Sequence, residues 1–189
     1  MDCPVSDMEA PLADVDIEDR RVRRTKAALL AAFVGVVLDK RYDQITVSNI
    51  AERAGVGRST FYEHYRNKDE LLKEGLATHF DVLADMVAGV GDLAADQATV
   101  EHFWENRRVA NVLFAGHTRQ ILTRALADAL ERRLSAAESP RALKSGLPVG
   151  LASACLAAAQ IGLLSEWLSG RIPCQPAVVA AALRQMAAN

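Results

Sequence analysis

Aromatic residues are scarce in this chain, at 5% of 189 residues, and runs of β-branched or aromatic side chains are few. Without such runs there is little to build strands from. Cysteine is equally thin. Cys3, Cys155 and Cys174 are odd in number and show no metal-ligand spacing, which argues against a disulfide framework or a zinc site. Free thiols in a reducing cytoplasm are the expectation. No Gly-x-Ser-x-Gly, no phosphate-binding glycine loop and no paired Cys or His site occurs, so no catalytic residue is assigned and an enzyme fits poorly. His79, His102 and His117 lack a tight ligand spacing, and neither a metal nor a cofactor is expected. The N-terminus has no basic segment followed by an apolar stretch and does not read as a signal peptide.

What is abundant is apolar and helix-forming. Hydrophobic residues make up 50% of the chain, and alanine and leucine dominate its second half. The net charge of -2 conceals a strong asymmetry. Residues 1–19 hold seven acids (Asp2, Asp7, Glu9, Asp14, Asp16, Glu18 and Asp19) and no Lys or Arg. Residues 20–74 carry a net +5, and residues 75–189 are balanced. A near-neutral whole therefore does not argue against a nucleic-acid partner, because the basic excess is local.

The expected fold is all-α in three parts. Residues 1–19 are acidic, contain Pro4 and Pro11 and lack an apolar period, which reads as a disordered arm. Residues 20–67 form a three-helix module, opened by a helix over 20–40 with Leu29, Phe33, Val36 and Val37 on one face. Residues 68–189 form a helical region. Its helices are expected over 68–88, 96–105, 107–115, 118–138, 147–169 and 176–188, punctuated by Gly89, Gly116, Pro140, Gly146, Gly170 and Pro173. The stretch 147–164 is near the lower length limit for a membrane span, but its alanine-rich character suits helix packing, and no membrane role is assigned.

The most informative run is 46–68, Thr-Val-Ser-Asn-Ile-Ala-Glu-Arg-Ala-Gly-Val-Gly-Arg-Ser-Thr-Phe-Tyr-Glu-His-Tyr-Arg-Asn-Lys. Thr46 or Ser48 can cap a first helix. Ile50, Ala51 and Ala54 give it a buried side. Gly55 supplies the left-handed residue that ends it. A second helix starts near Gly57 or Arg58. Two helices joined by a short glycine-containing turn make a helix-turn-helix, whose second helix can lie in the DNA major groove.

The run from Ala54 to Leu72 resembles the DNA-binding signature of TetR-family transcriptional regulators, in its glycine-valine turn, Tyr62, the His64-Tyr65 pair and Asn67-Lys68. The resemblance covers about residues 20–76. It implies a regulator, more often a repressor, that binds a palindromic double-stranded operator as a homodimer and is released by a small hydrophobic effector. A constitutive, nucleoid-type DNA binder without an effector is the alternative.

Arg58 and Ser59 stand at the front of the second helix, where an arginine can donate two bonds to guanine O6 and N7. Glu63 can accept from a cytosine amino group or simply be solvated. Thr46, Ser48, Thr60, Tyr62, His64 and Lys68 are the expected phosphate contacts. Arg24, within the Arg20–Lys26 cluster, is expected near the backbone or minor groove. Cations at a helix start oppose its dipole, so this cluster reads as a functional cost. Phe61 and Tyr65 are expected in the core.

By resemblance, Phe80, Leu83, Phe103, Trp104, Phe114 and His117 would surround the effector pocket. Trp104 and either His102 or His117 are the choices for facing its cavity. The last two helices would pair across a dimer through Leu151, Ala154, Ala158, Ile161, Val179, Leu183 and Met186, whose three- and four-residue steps leave a stripe of mostly small side chains on the longer helix.

Overall fold

A computed structural model of the chain describes residues 12–136 and 146–186. Among them are nine α-helices, a 3₁₀ turn at Tyr42–Gln44 and no strand. The fold is all-α, as the lack of strand-forming runs requires.

Helix α1 spans Leu12–Asp39 and corrects the expected arm. Residues 1–11 lie outside the described residues, but 12–19 continue the helix upstream. Residues 12–19 form its leading turns. Asp19 accepts from Arg23 at 2.5 Å, one turn on. The Arg20–Lys26 cluster consequently falls inside the helix. Its supposed conflict with the dipole disappears.

Helices α2 (Val47–Ala54), α3 (Arg58–His64) and α4 (Lys68–Ala88) follow with short links. Beyond them lie α5 (Leu93–Glu105), α6 (Arg107–Leu113) and α7 (Gly116–Ala136), then α8 (Val149–Leu168) and α9 (Pro176–Gln185). Asp92 caps α5 by accepting the Ala94 N–H at 3.3 Å, which moves its start ahead of residue 96. α8 begins at Val149, after Pro148, because the residue before a proline resists helical backbone. The expected end of α7 near 138 and the last residues of α9 fall outside the described residues.

α4 is the central element. It packs against α1 on one side and against α5, α7 and α9 on others, and α7 in turn packs on α8. The cluster of buried side chains runs without a break from Leu29 in α1 through Leu72 and Leu83 in α4 to Trp167 in α8 and Leu183 in α9.

Several polar groups inside this core are paired. Gln160, fully buried on α8, donates to the Leu83 carbonyl at 3.2 Å. The Trp167 indole N–H donates to the Cys174 carbonyl at 3.0 Å. Arg184 joins α9 to α5 through Asp96 and through the Gly91 carbonyl at 2.8 Å. Burial raises the Asp96 pKa, and the Arg184 guanidinium opposes that shift.

Candidate nucleic-acid interface

Local sequence dictates the helix-turn-helix. Thr46, rather than Ser48, caps α2: its Oγ1 accepts the Asn49 N–H, and the Asn49 side chain accepts the Thr46 N–H, both at 3.2 Å. This reciprocal box satisfies two backbone donors that have no partner inside the helix. Gly55 then adopts φ 69°, a conformation that costs other residues energy. The Val56 N–H closes the turn onto the Ala51 carbonyl at 3.0 Å. α3 is seated by Phe61 and Tyr65, both buried and in ring contact at 5.7 Å.

With Phe61 and Tyr65 facing inward, the other side of α3 meets solvent. Arg58, Ser59, Tyr62 and Glu63 are exposed, Tyr62 at 51%, while Thr60 and His64 are half-buried. Thr46 and Ser48 are exposed at the head of α2. Arg58 and Arg24 make no ion pair with any described residue, whereas neighbouring cations are committed. Arg23 pairs with Asp19, and Lys26 with Glu74 at 3.0 Å. Both of these guanidiniums are thus left available on the module.

Lys68 is placed differently from its expected role. Its ammonium donates to the carbonyls of Tyr42 and Ile45 at 2.6 and 2.8 Å and lies 4.5 Å from the centre of the Tyr42 ring. The Tyr42 hydroxyl donates to Asp69 at 2.5 Å, and burial together with that carboxylate holds the phenol well above its usual pKa. Further along α4, Glu74 accepts from the Tyr65 hydroxyl at 3.1 Å and from Lys26 at 3.0 Å. The first two turns of α4 are therefore fastened to α1, to α3 and to the loop before α2. Nothing at the level of spacing could reveal this, since the carbonyls that Lys68 meets lie more than twenty residues upstream.

Just past those fastenings is a cavity of about 230 Å³ between α1, α4, α5 and α6. Phe33, Leu72, Phe103, Leu113 and Phe114 form its apolar wall, with His79, His102 and Asn106 also lining it. α1 and α4 approach closely here. A Cβ on Gly75 would stand 2.5 Å from a methyl of Leu30.

Of the six residues assigned to a pocket, Phe103 and Phe114 line this cavity. Phe80 and Leu83 lie further along α4, buried, where α7 and α8 cover them. Trp104 stacks on Trp167 at 4.9 Å, and His117 is exposed near the start of α7. His102 reaches the cavity as one of the two named alternatives. His79 has no sequence signal of its own, because only the fold brings it to His102.

The expected dimer stripe also divides. Leu151, Ala154 and Ala158 are exposed and Met186 is partly so. Ile161, Val179 and Leu183 are buried within the chain and cannot meet a partner. α8 is apolar on nearly every side, so its sequence could not say which side faces in. It is long and apolar enough to cross a membrane, and 33% of its apolar window is buried inside the chain.

A family model described as bacterial regulatory proteins, tetR family, matches residues 29–74, which run from the second half of α1 to Glu74. The helix-turn-helix part of the chain is that of the TetR family of regulators. It is 50% identical over 56 residues to the uncharacterized HTH-type transcriptional regulator YxbF of Bacillus subtilis (strain 168), a match covering 29% of this chain and 15% of that one. It is 34% identical over 70 residues to the DNA-binding transcriptional repressor TetR of Mycobacteroides abscessus, 37% of each. The chain thus spans less than half the length of these curated relatives. A TetR transcriptional regulator from Streptococcus agalactiae 2603V has the same fold, with a TM-score of 0.60 and 25% identity over 92% of this chain and 98% of that one. The TetR family is one of transcriptional regulators and not of enzymes. The match to its model ends at Glu74, where α4 passes the cavity.

Proposed function

We propose that this TetR-family chain represses transcription by binding a palindromic operator as a homodimer in the cytoplasm, and that a small ligand in the α1–α4–α5–α6 cavity releases it. Residues 20–67 act as the DNA-binding module and 68–189 as the effector and dimerisation region. The observation that carries this reading is the face of α3: Arg58, Ser59 and Tyr62 open to solvent over a buried Phe61 and Tyr65, with Arg58 unpaired. Arg58 reads a base edge. Thr46, Ser48, Thr60, Tyr62, His64 and Arg24 meet the backbone and fix the register. Lys68, held by two carbonyls, supports the phosphate site by positioning the start of α4, whose own N–H groups face an incoming anion.

Release follows from the fastenings of α4. Its first turns move with the module, and the cavity sits on the next turns. A ligand that favours a different α1–α4 packing therefore favours a different spacing of the two heads. Two half-sites one turn of DNA apart need the recognition helices about 34–36 Å from each other. A ligand with equal affinity for both packings would change nothing.

Operator fragments selected from the flanking genome, followed by fluorescence anisotropy, test the reading. Arg58→Ala should weaken the specific site by about 1–3 kcal/mol and relax preference at one base pair. An unchanged operator affinity would remove Arg58 from the reading role. Operator binding that no cavity ligand alters would favour the constitutive DNA binder.

A further inference from the structure

The cavity is not uniform. Among its fourteen lining residues only His79, His102 and Asn106 carry polar side chains, and none is an acid, Lys or Arg. The three polar groups are gathered at one end. The His79 and His102 rings stack at 4.4 Å with 18° between planes, and the Asn106 amide nitrogen lies 3.4 Å from His102 Nδ1. His102 and Asn106 are exposed, whereas Phe33, Phe103 and Phe114 are buried. The cavity therefore has an apolar depth and a polar rim. His79, half-buried between them, makes ring contacts but no hydrogen bond with any described residue.

We infer that the cavity takes a small amphipathic carboxylate, its apolar body among Phe33, Leu72, Phe103 and Phe114 and its carboxylate against the His79–His102 pair. This rests on the reading of the cavity as the effector site. A wholly apolar ligand would cover the half-buried His79 ring and leave its nitrogens without partners, which is costly. A cation would find no counter-charge and would meet two imidazoles. A carboxylate accepts from both rings, beside an Asn106 amide that donates to the His102 carbonyl at 2.9 Å, and its position at the rim keeps it partly hydrated. The volume admits one ring or a short chain: about 150 Å³ is enough for benzene, and drug-sized pockets reach about 300–1,000 Å³.

The same geometry couples binding to a proton. Burial, and then the neighbouring His102, lower the His79 pKa. No other titratable group lines the cavity: α1 contributes Leu30, Phe33 and Val34, α6 contributes Val109, Ala110 and Leu113, and α4 otherwise contributes Leu72, Gly75 and Leu76. An anion beside the pair raises that pKa, so the bound form holds the proton more tightly. Affinity for a carboxylate accordingly rises as pH falls through the raised pKa of the bound state towards the lowered one of the free state.

Isothermal titration of the full chain without DNA, using 3-phenylpropanoate, 3-phenylpropan-1-ol and 3-phenylpropan-1-amine, tests this. The acid should bind roughly tenfold more tightly than the alcohol, with the amine weakest, and its advantage should grow at lower pH. The His79→Gln/His102→Gln double variant should lose that advantage and its pH dependence while still binding the alcohol. Asn106→Asp, a change at an exposed rim position, should weaken the acid alone. Equal affinity for acid and alcohol, a preference that survives both variants, or no binding by any of the three overturns the inference. If the acid binds with these dependences but leaves operator affinity unchanged, the carboxylate site stands and the effector reading fails.

Discussion

Ala158→Glu is expected to turn a dimer into a folded monomer and to weaken operator binding by about 10²–10⁴-fold, the advantage that a second linked half-site confers. Ala158 is exposed on α8, in line with Ala154 and with Leu151, which is 52% exposed. Cys155, the residue after Ala154, is exposed as well. An area of this kind is uncommon on a free-standing chain and marks an interaction site. Its small side chains let a second α8 come close, and a glutamate placed there would be desolvated without a partner, which disfavours association strongly. The isolated chain should tolerate the change. The position is exposed, and glutamate is a good helix former. Light scattering after size exclusion should show the wild type as a dimer at micromolar concentration and the variant as a monomer. Anisotropy on full and half operators should show the variant unable to distinguish them. A monomeric wild type, or a dimeric variant, would move the interface elsewhere.

That surface also shows where sequence stops being readable. Ile161 and Ala158 sit three residues apart in a helix with almost no polar side to orient it, and both fit the same stripe. Only the packing of α7 against α8 decides that Ile161 points inward and Ala158 outward. The helix-turn-helix was legible for the opposite reason. Its signals are local: the Thr46 cap, the left-handed Gly55, and Phe61 and Tyr65 four residues apart. Each acts within a turn or two, so the sequence itself holds the whole cause. α4 was equally plain, bounded by an Asn67 cap and a Gly89 at φ 73°. The start of α1 was not, because a run of acids reads as a solvated coil until a helix is known to lie there for them to lead. The cavity was hidden most deeply. His79 and His102 are twenty-three positions apart on different helices, and their stacking is set by how α5 returns along α4.

Lys68→Met is expected to destabilise the chain by about 2–4 kcal/mol, from the loss of two charge-assisted bonds and a cation–π contact, with the carbonyls left short of a donor. Methionine keeps most of the stem's length and apolar surface, so the change isolates the ammonium. The variant should also bind DNA more weakly, because the Tyr42–Ile45 loop that leads into Thr46 and α2 is no longer pinned to α4. The diagnostic quantity is the salt dependence. An ammonium that meets phosphate releases about one counterion, and its removal flattens the slope of log K against log salt by about 0.9. An ammonium spent on the carbonyls of Tyr42 and Ile45 releases none. The slope should therefore stay where it is while denaturant stability and affinity both fall. A flattened slope with unchanged stability would return Lys68 to the phosphate backbone and show that it leaves those carbonyls when DNA arrives. Arg24→Gln is the matching control. Arg24 is exposed on α1 with no ion-pair partner among the described residues, so its loss should flatten the slope and leave stability alone.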